Sequence, residues 1–192
     1  MGPLPVKSPD GNLNTKVDIR LRKMYILVGL MSLLSELMSV VWATVAVNQL
    51  TETFVPATES VWQLLQGPYS LAWSAVNAHF VFGTMGFAFC VGLKTYYHAG
   101  KGLLGKGLAS VALSGLCLMA AIVNRGIASG GGDGVHTFGN SVLALFSNYA
   151  RLLFQRATRS GALGFLETAS GLAMAVGLGM CLASILGADE DK

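Results

Sequence analysis

Two side chains that could bind a metal or move a proton lie within apolar parts of this sequence. Glu36 interrupts the apolar run from 24 to 47, and His79 lies near the start of a second apolar run, two residues after Asn77. An ionised carboxylate in the middle of a membrane helix costs about 3 kcal/mol on insertion scales. Glu36 must therefore be protonated, paired or coordinated.

The surroundings of Glu36 in a helix are small and polar. Helical spacing places Gly29, Ser32, Ser39 and Ala43 on its face, so the carboxyl group is expected to face protein or ligand rather than lipid tails. Three interpretations remain open. Glu36 is a structural hydrogen-bonding acid, a ligand to a metal centre such as the magnesium of chlorophyll, or a proton or ion site.

His79 is followed on its own helical face by Gly83, Gly86 and Cys90. A histidine above small residues suits either of two partners. One is a helix that approaches closely, and the other is a flat macrocycle whose central metal binds the imidazole. A third interpretation makes His79 an interfacial or capping residue beside Asn77.

A haem with two histidine ligands fits the sequence less well than a chlorophyll does. His98 lies at the opposite end of the second apolar run from His79, and the predicted topology places His136 at the end of a run on the same outer side as His79. One pair is therefore conceivable, but no pair of histidines lies within the runs. Chlorophyll needs one axial ligand and accepts His, Glu, Asn, Gln or water. If a chlorophyll is bound, His79 and Glu36 are the predicted axial ligands, with Asn77 and His136 as further candidates.

Composition identifies the environment of these residues. Of the 192 residues, 53% are hydrophobic and 12% are charged, whereas soluble domains carry about 25% charged residues. The mean hydropathy is +0.56, which predicts an integral membrane protein. A net charge of +3 does not favour nucleic acid as a partner. The three cysteines are dispersed within apolar runs and form no disulfide or metal pattern.

The predicted fold class is all-α, a polytopic transmembrane bundle of about four spans plus one amphipathic helix. The expected spans are 24–47, 75–93, 108–123 and 161–186. A bilayer requires about 20 residues, and Leu103 and Leu104 can extend the short third span. The segment 135–154 is amphipathic, with apolar residues on one helical face. The predicted organisation is a polar arm (1–23), a transmembrane domain (24–187) and an acidic tail (188–192).

Charge distribution leaves the number of spans open. The N-terminal arm and the loop after the second run are rich in Lys and Arg, which places them on the cytoplasm-like side. Arg151, Arg156 and Arg159 would return to that side only if 135–154 crossed the membrane. Charge therefore favours five spans, whereas an amphipathic helix more often lies on the membrane surface. The sequence shows no catalytic constellation, so we expect no enzyme.

The last apolar run resembles the signature of light-harvesting chlorophyll proteins, E-x-x-[NH]-G-R-x-A-M. The segment "FLETASGLAMAVGLG" matches it at Glu167, Gly171, Ala173 and Met174. Ser170 and Leu172 stand where that family has an amide or imidazole and an arginine, and one residue is missing before Ala173. The resemblance implies a pigment-ligand role for Glu167.

The segments "SELMSVVWATVAVNQLTET" and "WSAVNAHFVFGTMGF" resemble small plastid membrane proteins of red-lineage algae. Some of these are similar to accessory subunits of photosystem I and its light-harvesting antenna. The resemblance implies a non-catalytic thylakoid subunit that bridges photosystem core and antenna proteins and binds chlorophyll and carotenoid, with its N-terminus on the stromal side. The alternatives are a pigment-free subunit of a respiratory complex, in the mitochondrial inner membrane, and a small transporter that uses Glu36.

Overall fold

The computed structural model describes residues 16–52, 69–100, 102–129, 141–159 and 164–187. This part of the chain is about 95% helical and contains no strand. Its five helices are α1 (Lys16–Glu52), α2 (Ser70–Ala99), α3 (Leu103–Ser129), α4 (Val142–Arg159) and α5 (Phe165–Leu186).

Four of these helices are long and apolar enough to cross a membrane, and they are α1, α2, α3 and α5. The remaining helix, α4, carries polar and apolar residues on different faces. The predicted fold class, four spans plus one amphipathic helix, is confirmed. The amphipathic segment begins later than the sequence pattern indicates, because α4 starts at Val142 and ends at Arg159.

The first helix begins inside the segment predicted to be an extended polar arm. The sequence pattern predicts an arm that reaches Lys23, but α1 is helical from Lys16 onward. Asp18 lies in the first turn of α1, where a negative charge is favourable. It is buried, and its carboxylate accepts a hydrogen bond of 3.2 Å from the hydroxyl of Tyr97. This contact ties the polar start of α1 to α2 and explains why the helix extends beyond the apolar run.

The chain divides into two compact units, each assembled from parts of several helices. The first contains the start of α1, the second half of α2, the first half of α3, and α5. Its core is formed by Tyr25, Cys90 and Tyr97. The thiol of Cys90 donates to the carbonyl oxygen of Tyr25 at 3.6 Å. In the same unit α2 and α3 approach so closely that a Cβ on Gly92 would lie 2.7 Å from that of Ala112.

Two cations of α1 bind the last turn of α5. Arg20 donates to the carbonyl oxygen of Leu186 at 3.4 Å, and Lys23 donates to that of Ser184 at 3.0 Å. The last carbonyls of a helix lack partners within the helix and carry its negative end. The start of α1 and the end of α5 therefore lie on the same side of the membrane. An even number of crossings follows, and the four apolar helices supply it.

The second unit contains the rest of α1, the first half of α2, the end of α3, and α4. Here α4 lies along α2. The side chains of Asn148 and Ser74 are hydrogen-bonded at 3.4 Å, and the rings of Phe146 and Phe82 meet edge to face at 6.4 Å. Leu145 and Ala78 form a buried cluster in the same contact, and Tyr149 lies beside His79. The first half of α2 therefore packs against α4 through both polar and aromatic contacts.

A tight turn joins α2 to α3. Gly100 follows α2 with φ of 80°, a conformation that favours glycine. The backbone of α3 then passes so close that a Cβ on Gly105 would collide with the carbonyl oxygen of Gly100. Only glycine fits at position 105 without a shift of the backbone.

The shared side of the two ends can be tested by cysteine labelling. Cys117 and Cys181 are exposed and are replaced by Ala, whereas Cys90 is buried and can remain. We expect single cysteines at Gly187 and Lys16 to react with an impermeant maleimide from one side of sealed vesicles, and a cysteine at Glu52 from the other. Reaction of the Gly187 and Glu52 variants from the same side would contradict four crossings.

The turn predicts opposite effects for two neighbouring glycines of α3. Gly105→Ala should lower the free energy of unfolding by about 2 kcal/mol, because the added methyl group meets backbone atoms. At Gly107 no atom lies within 4 Å of the place where an added methyl group would be, so Gly107→Ala should be neutral or stabilise the helix by up to about 1 kcal/mol. Thermal unfolding in detergent measures both. Equal effects would contradict the described turn.

Candidate functional site

Three serines on one face of α1 bind the backbone of α2 in the second unit. Ser32, Ser35 and Ser39 are all buried, and their spacing of three and four residues places them in one stripe. Their hydroxyl groups donate to carbonyl oxygens of α2, those of Gly83, His79 (3.0 Å) and Val76 (3.1 Å) respectively. Successive serines along α1 contact successively earlier residues of α2, so these helix segments are antiparallel. We call this stripe and its partners the serine seam.

Both ring nitrogens of His79 have partners at the serine seam. Nδ1 lies 3.0 Å from the hydroxyl of Ser35, and Nε2 lies 3.0 Å from the hydroxyl of Tyr149 on α4. Ser35 has one hydroxyl proton, which it donates to the carbonyl oxygen of His79. Nδ1 must then carry the imidazole proton and donate to Ser35, while Nε2 accepts from Tyr149. This assignment gives every donor an acceptor and fixes a neutral Nδ1–H tautomer.

Tyr149 has two aromatic neighbours in addition to this hydrogen bond. Its ring meets the imidazole of His79 edge to face, with centroids 5.4 Å apart. The indole of Trp42 lies beside the phenol oxygen. The Trp42 Nε1–H is itself buried and makes no hydrogen bond of normal geometry within the described residues. The indole is thus close to the phenol oxygen without being well aligned with it.

Glu36 lies against the glycine face that follows His79. One carboxylate oxygen accepts a hydrogen bond of 3.0 Å from Thr84. A Cβ on Gly83 would lie 2.6 Å from that same oxygen. The absence of a side chain at Gly83 therefore provides the space that the half-buried carboxyl group of Glu36 occupies. Of the two partners that suit this glycine face, a helix or a flat ring, the structure places the α1 helix there.

Asn77 has a local role. Its amide nitrogen donates to the carbonyl oxygen of Trp73, one turn earlier in α2, at 2.8 Å. This back-bonding satisfies the amide within its own helix. Asn77 therefore does not join the network formed by His79, Ser35 and Tyr149.

The structure brings together two of the predicted ligands, His79 and Glu36, at the serine seam. Of the other three, Asn77 lies outside the network, Glu167 belongs to α5 but its side chain lies outside the described residues, and His136 lies outside them as well. Within the described parts of the chain, no group of three His, Cys, Asp or Glu residues could hold a metal ion.

Ser35 and Tyr149 belong to the site but are not among the residues predicted for it. Ser35 lies three residues after Ser32 and four before Ser39, so its place in the stripe is available from spacing alone. The sequence pattern assigns Tyr149 to the apolar face of the amphipathic segment. Its hydroxyl group binds His79 across 70 positions of sequence, and no local pattern reports such a contact.

The hydrogen bonds of His79 fit a role in helix packing better than a role as a metal ligand. Neither nitrogen of His79 offers a lone pair to a magnesium ion while Ser35 and Tyr149 keep their hydrogen bonds. Ligation through Nε2 would require Tyr149 to move away, and the axial-ligand hypothesis for His79 stays a prediction. The residues as placed hold α1, α2 and α4 together through a buried polar network.

Comparison with known proteins finds no relative of this chain. No protein-family model, curated protein or solved structure matches the chain.

The network predicts a specific effect of removing one hydroxyl group. Tyr149→Phe should lower the free energy of unfolding by about 1 kcal/mol, the size of a hydrogen bond in a membrane protein. It should also shift the 15N resonance of His79 Nε2, which loses its donor. Tyr96→Phe is the matched control, because the Tyr96 hydroxyl has no hydrogen bond in the described structure. An unchanged Nε2 resonance in Tyr149→Phe would contradict the network.

Proposed function

We propose that the chain is a non-catalytic accessory subunit of a photosynthetic membrane supercomplex, which bridges neighbouring membrane proteins and binds a few pigments. The bridging role is supported by the exposure of α3 and α5, which the rest of the chain covers little. In the most apolar 18-residue stretch of each helix, no residue is buried within the chain. α5 thus offers nearly its whole circumference to surrounding lipid and protein, and α3 offers every face except the one packed on α2.

The uncovered helices have surfaces that suit close contact with other helices. Large side chains such as Leu118 and Met180 are 62% and 69% exposed. Between them lie glycines with open space around them, among them Gly115, Gly171 and Gly179. Small residues let helix backbones approach closely in a membrane, where van der Waals packing drives association. These faces support a subunit that fills a space between larger partners.

An apolar cavity supports the pigment part of the proposal. It lies between α2 and α3 in the first unit and has a volume of about 270 Å³. Its walls include Phe89, Tyr96, Leu113 and Leu116. A carotenoid or the hydrocarbon tail of a chlorophyll has the apolar, elongated character that such walls accept. The choice of photosystem I and its antenna rests on the resemblance of the segments around Glu36 and His79 to plastid proteins.

A chlorophyll could be held in two ways, through a ligand to its magnesium or through its hydrocarbon tail alone. If His79 ligates chlorophyll, Tyr149 must first release Nε2. Tyr149→Phe would then expose the ligand and increase chlorophyll content, whereas His79→Ala would reduce it. If the tail alone is bound between α2 and α3, both variants should keep the pigment.

The transporter alternative depends on Glu36. Within the described residues, Thr84 is the only hydrogen-bond partner of its carboxylate, and an ionisable group at this depth is a functional candidate by default. Uptake by proteoliposomes that Glu36→Gln abolishes, with assembly unchanged, would favour this alternative over an accessory subunit.

The proposed function is tested by isolating the chain in its native membrane complex. We expect it to co-purify from thylakoid membranes with photosystem I and antenna proteins, and to show chlorophyll or carotenoid absorption once separated. Organelle fractionation distinguishes this result from a respiratory subunit, which would co-purify from mitochondrial inner membranes without pigment.

A matched pair of variants tests the bridging surface. Gly179→Leu places a large side chain on an open face of α5 and should reduce the recovered complex severalfold. Leu186→Ala, near the end of the same helix, should have little effect. Full recovery of the complex with Gly179→Leu would contradict a bridging role for this face.

A further inference from the structure

A second cavity lies in the second unit, where the end of α1, the start of α2 and the end of α4 meet. It has a volume of about 340 Å³, within the range of small-molecule sites. Residues of three helices line the cavity. They are Met38, Val41, Trp42, Val45, Ala46 and Gln49 of α1, Leu71 and Ala72 of α2 with the preceding Tyr69, and Arg156 of α4. These groups are not part of the serine seam, except that Trp42 borders both.

The cavity is apolar in its depth and polar at its mouth. From Met38 to Gln49, α1 advances eleven residues, or about 16 Å. Half of a typical hydrocarbon core is about 15 Å. Gln49 is close to the end of α1, and Tyr69 directly precedes α2. The cavity therefore extends from the membrane boundary to about the middle of the bilayer, which is the depth of one lipid chain.

The mouth contains a cation and the walls are open to the bilayer. Arg156 carries a permanent positive charge and a planar set of donors that matches a phosphate group. Met38, Val41 and Val45 are 42%, 53% and 44% exposed, so an acyl chain could enter from the side. Tyr69, next to the start of α2, is an aromatic residue of the kind that borders membrane interfaces.

We propose that this cavity binds one acidic phospholipid, with the phosphate against Arg156 and one acyl chain along α1 toward Met38. The positive charge at the mouth attracts an acidic head group. The depth of the cavity, about one leaflet, accommodates one acyl chain. The proposal does not depend on a photosynthetic role, because any cell membrane that contains acidic phospholipid supplies the ligand.

The site is tested with the full chain in detergent by native mass spectrometry. Dioleoyl phosphatidylglycerol and dioleoyl phosphatidylcholine have the same tails and differ in head-group charge. We expect the wild type to retain one phosphatidylglycerol more strongly than phosphatidylcholine. Arg156→Gln should weaken this retention about fivefold, the effect of one basic residue near an acidic lipid surface.

Matched variants separate the cavity from general surface charge. Arg151 is also an exposed cation of α4, but it does not line the cavity. Arg151→Gln should leave retention unchanged. Ala46→Phe fills the cavity and should reduce retention about tenfold, whereas Val47→Phe, on the exposed neighbouring position, should not. Circular dichroism establishes that each variant is folded.

Position is read from Trp42 fluorescence in a variant with Trp62 and Trp73 replaced by Phe. Phosphatidylglycerol with brominated acyl chains should quench Trp42 in proportion to binding, and Ala46→Phe should prevent quenching. Equal loss in Arg151→Gln and Arg156→Gln would overturn the site in favour of nonspecific charge attraction. Equal binding of phosphatidylcholine, or full competition by glycerol phosphate, would overturn the lipid assignment in favour of an uncharged lipid or a free anion.

Discussion

The burial of hydroxyl groups between α1 and α2 is the constraint on which the second unit depends. In hydrocarbon no water is present to satisfy a serine, so each hydroxyl group must find an acceptor within the protein. Ser32, Ser35 and Ser39 find theirs on the backbone of α2. Because backbone carbonyls are evenly spaced along a helix, three such contacts fix the register of the pair. The position of His79 opposite Ser35 is a consequence of that register.

The same register explains how two ionisable side chains are accommodated in apolar helices. Glu36 occupies the space above Gly83 and binds Thr84, while His79 binds Ser35 and Tyr149. Each side chain has a partner on a different helix from its own. Glu36 and His79, which could each bind a metal, thus hold helices together instead. The two roles exclude each other at His79 unless Tyr149 moves, which makes this tyrosine the residue that decides between them.

The sequence predicted the elements better than it predicted the site. Hydropathy located all four spans, because a membrane helix must be apolar over its full crossing length. Spacing also placed Ser32 and Ser39 beside Glu36, since both are properties of one helix. It could not reveal that Tyr149 meets His79, because that contact depends on how α4 runs along α2. Charge counting left four and five spans open, and the contact of Arg20 with the end of α5 favours four.

The pairing of α1 with α5 has a consequence for biogenesis. The acceptors of Arg20 and Lys23 are carbonyl oxygens of Leu186 and Ser184, which follow them by 166 and 161 positions. The cations at the start of α1 are therefore synthesised long before the groups that bind them. The first unit can be completed only after α5 has been made, and until then water and lipid head groups solvate these exposed cations. A chain truncated before α5 would lack the carbonyl groups that bind them, and the start of α1 would lose this link within the first unit.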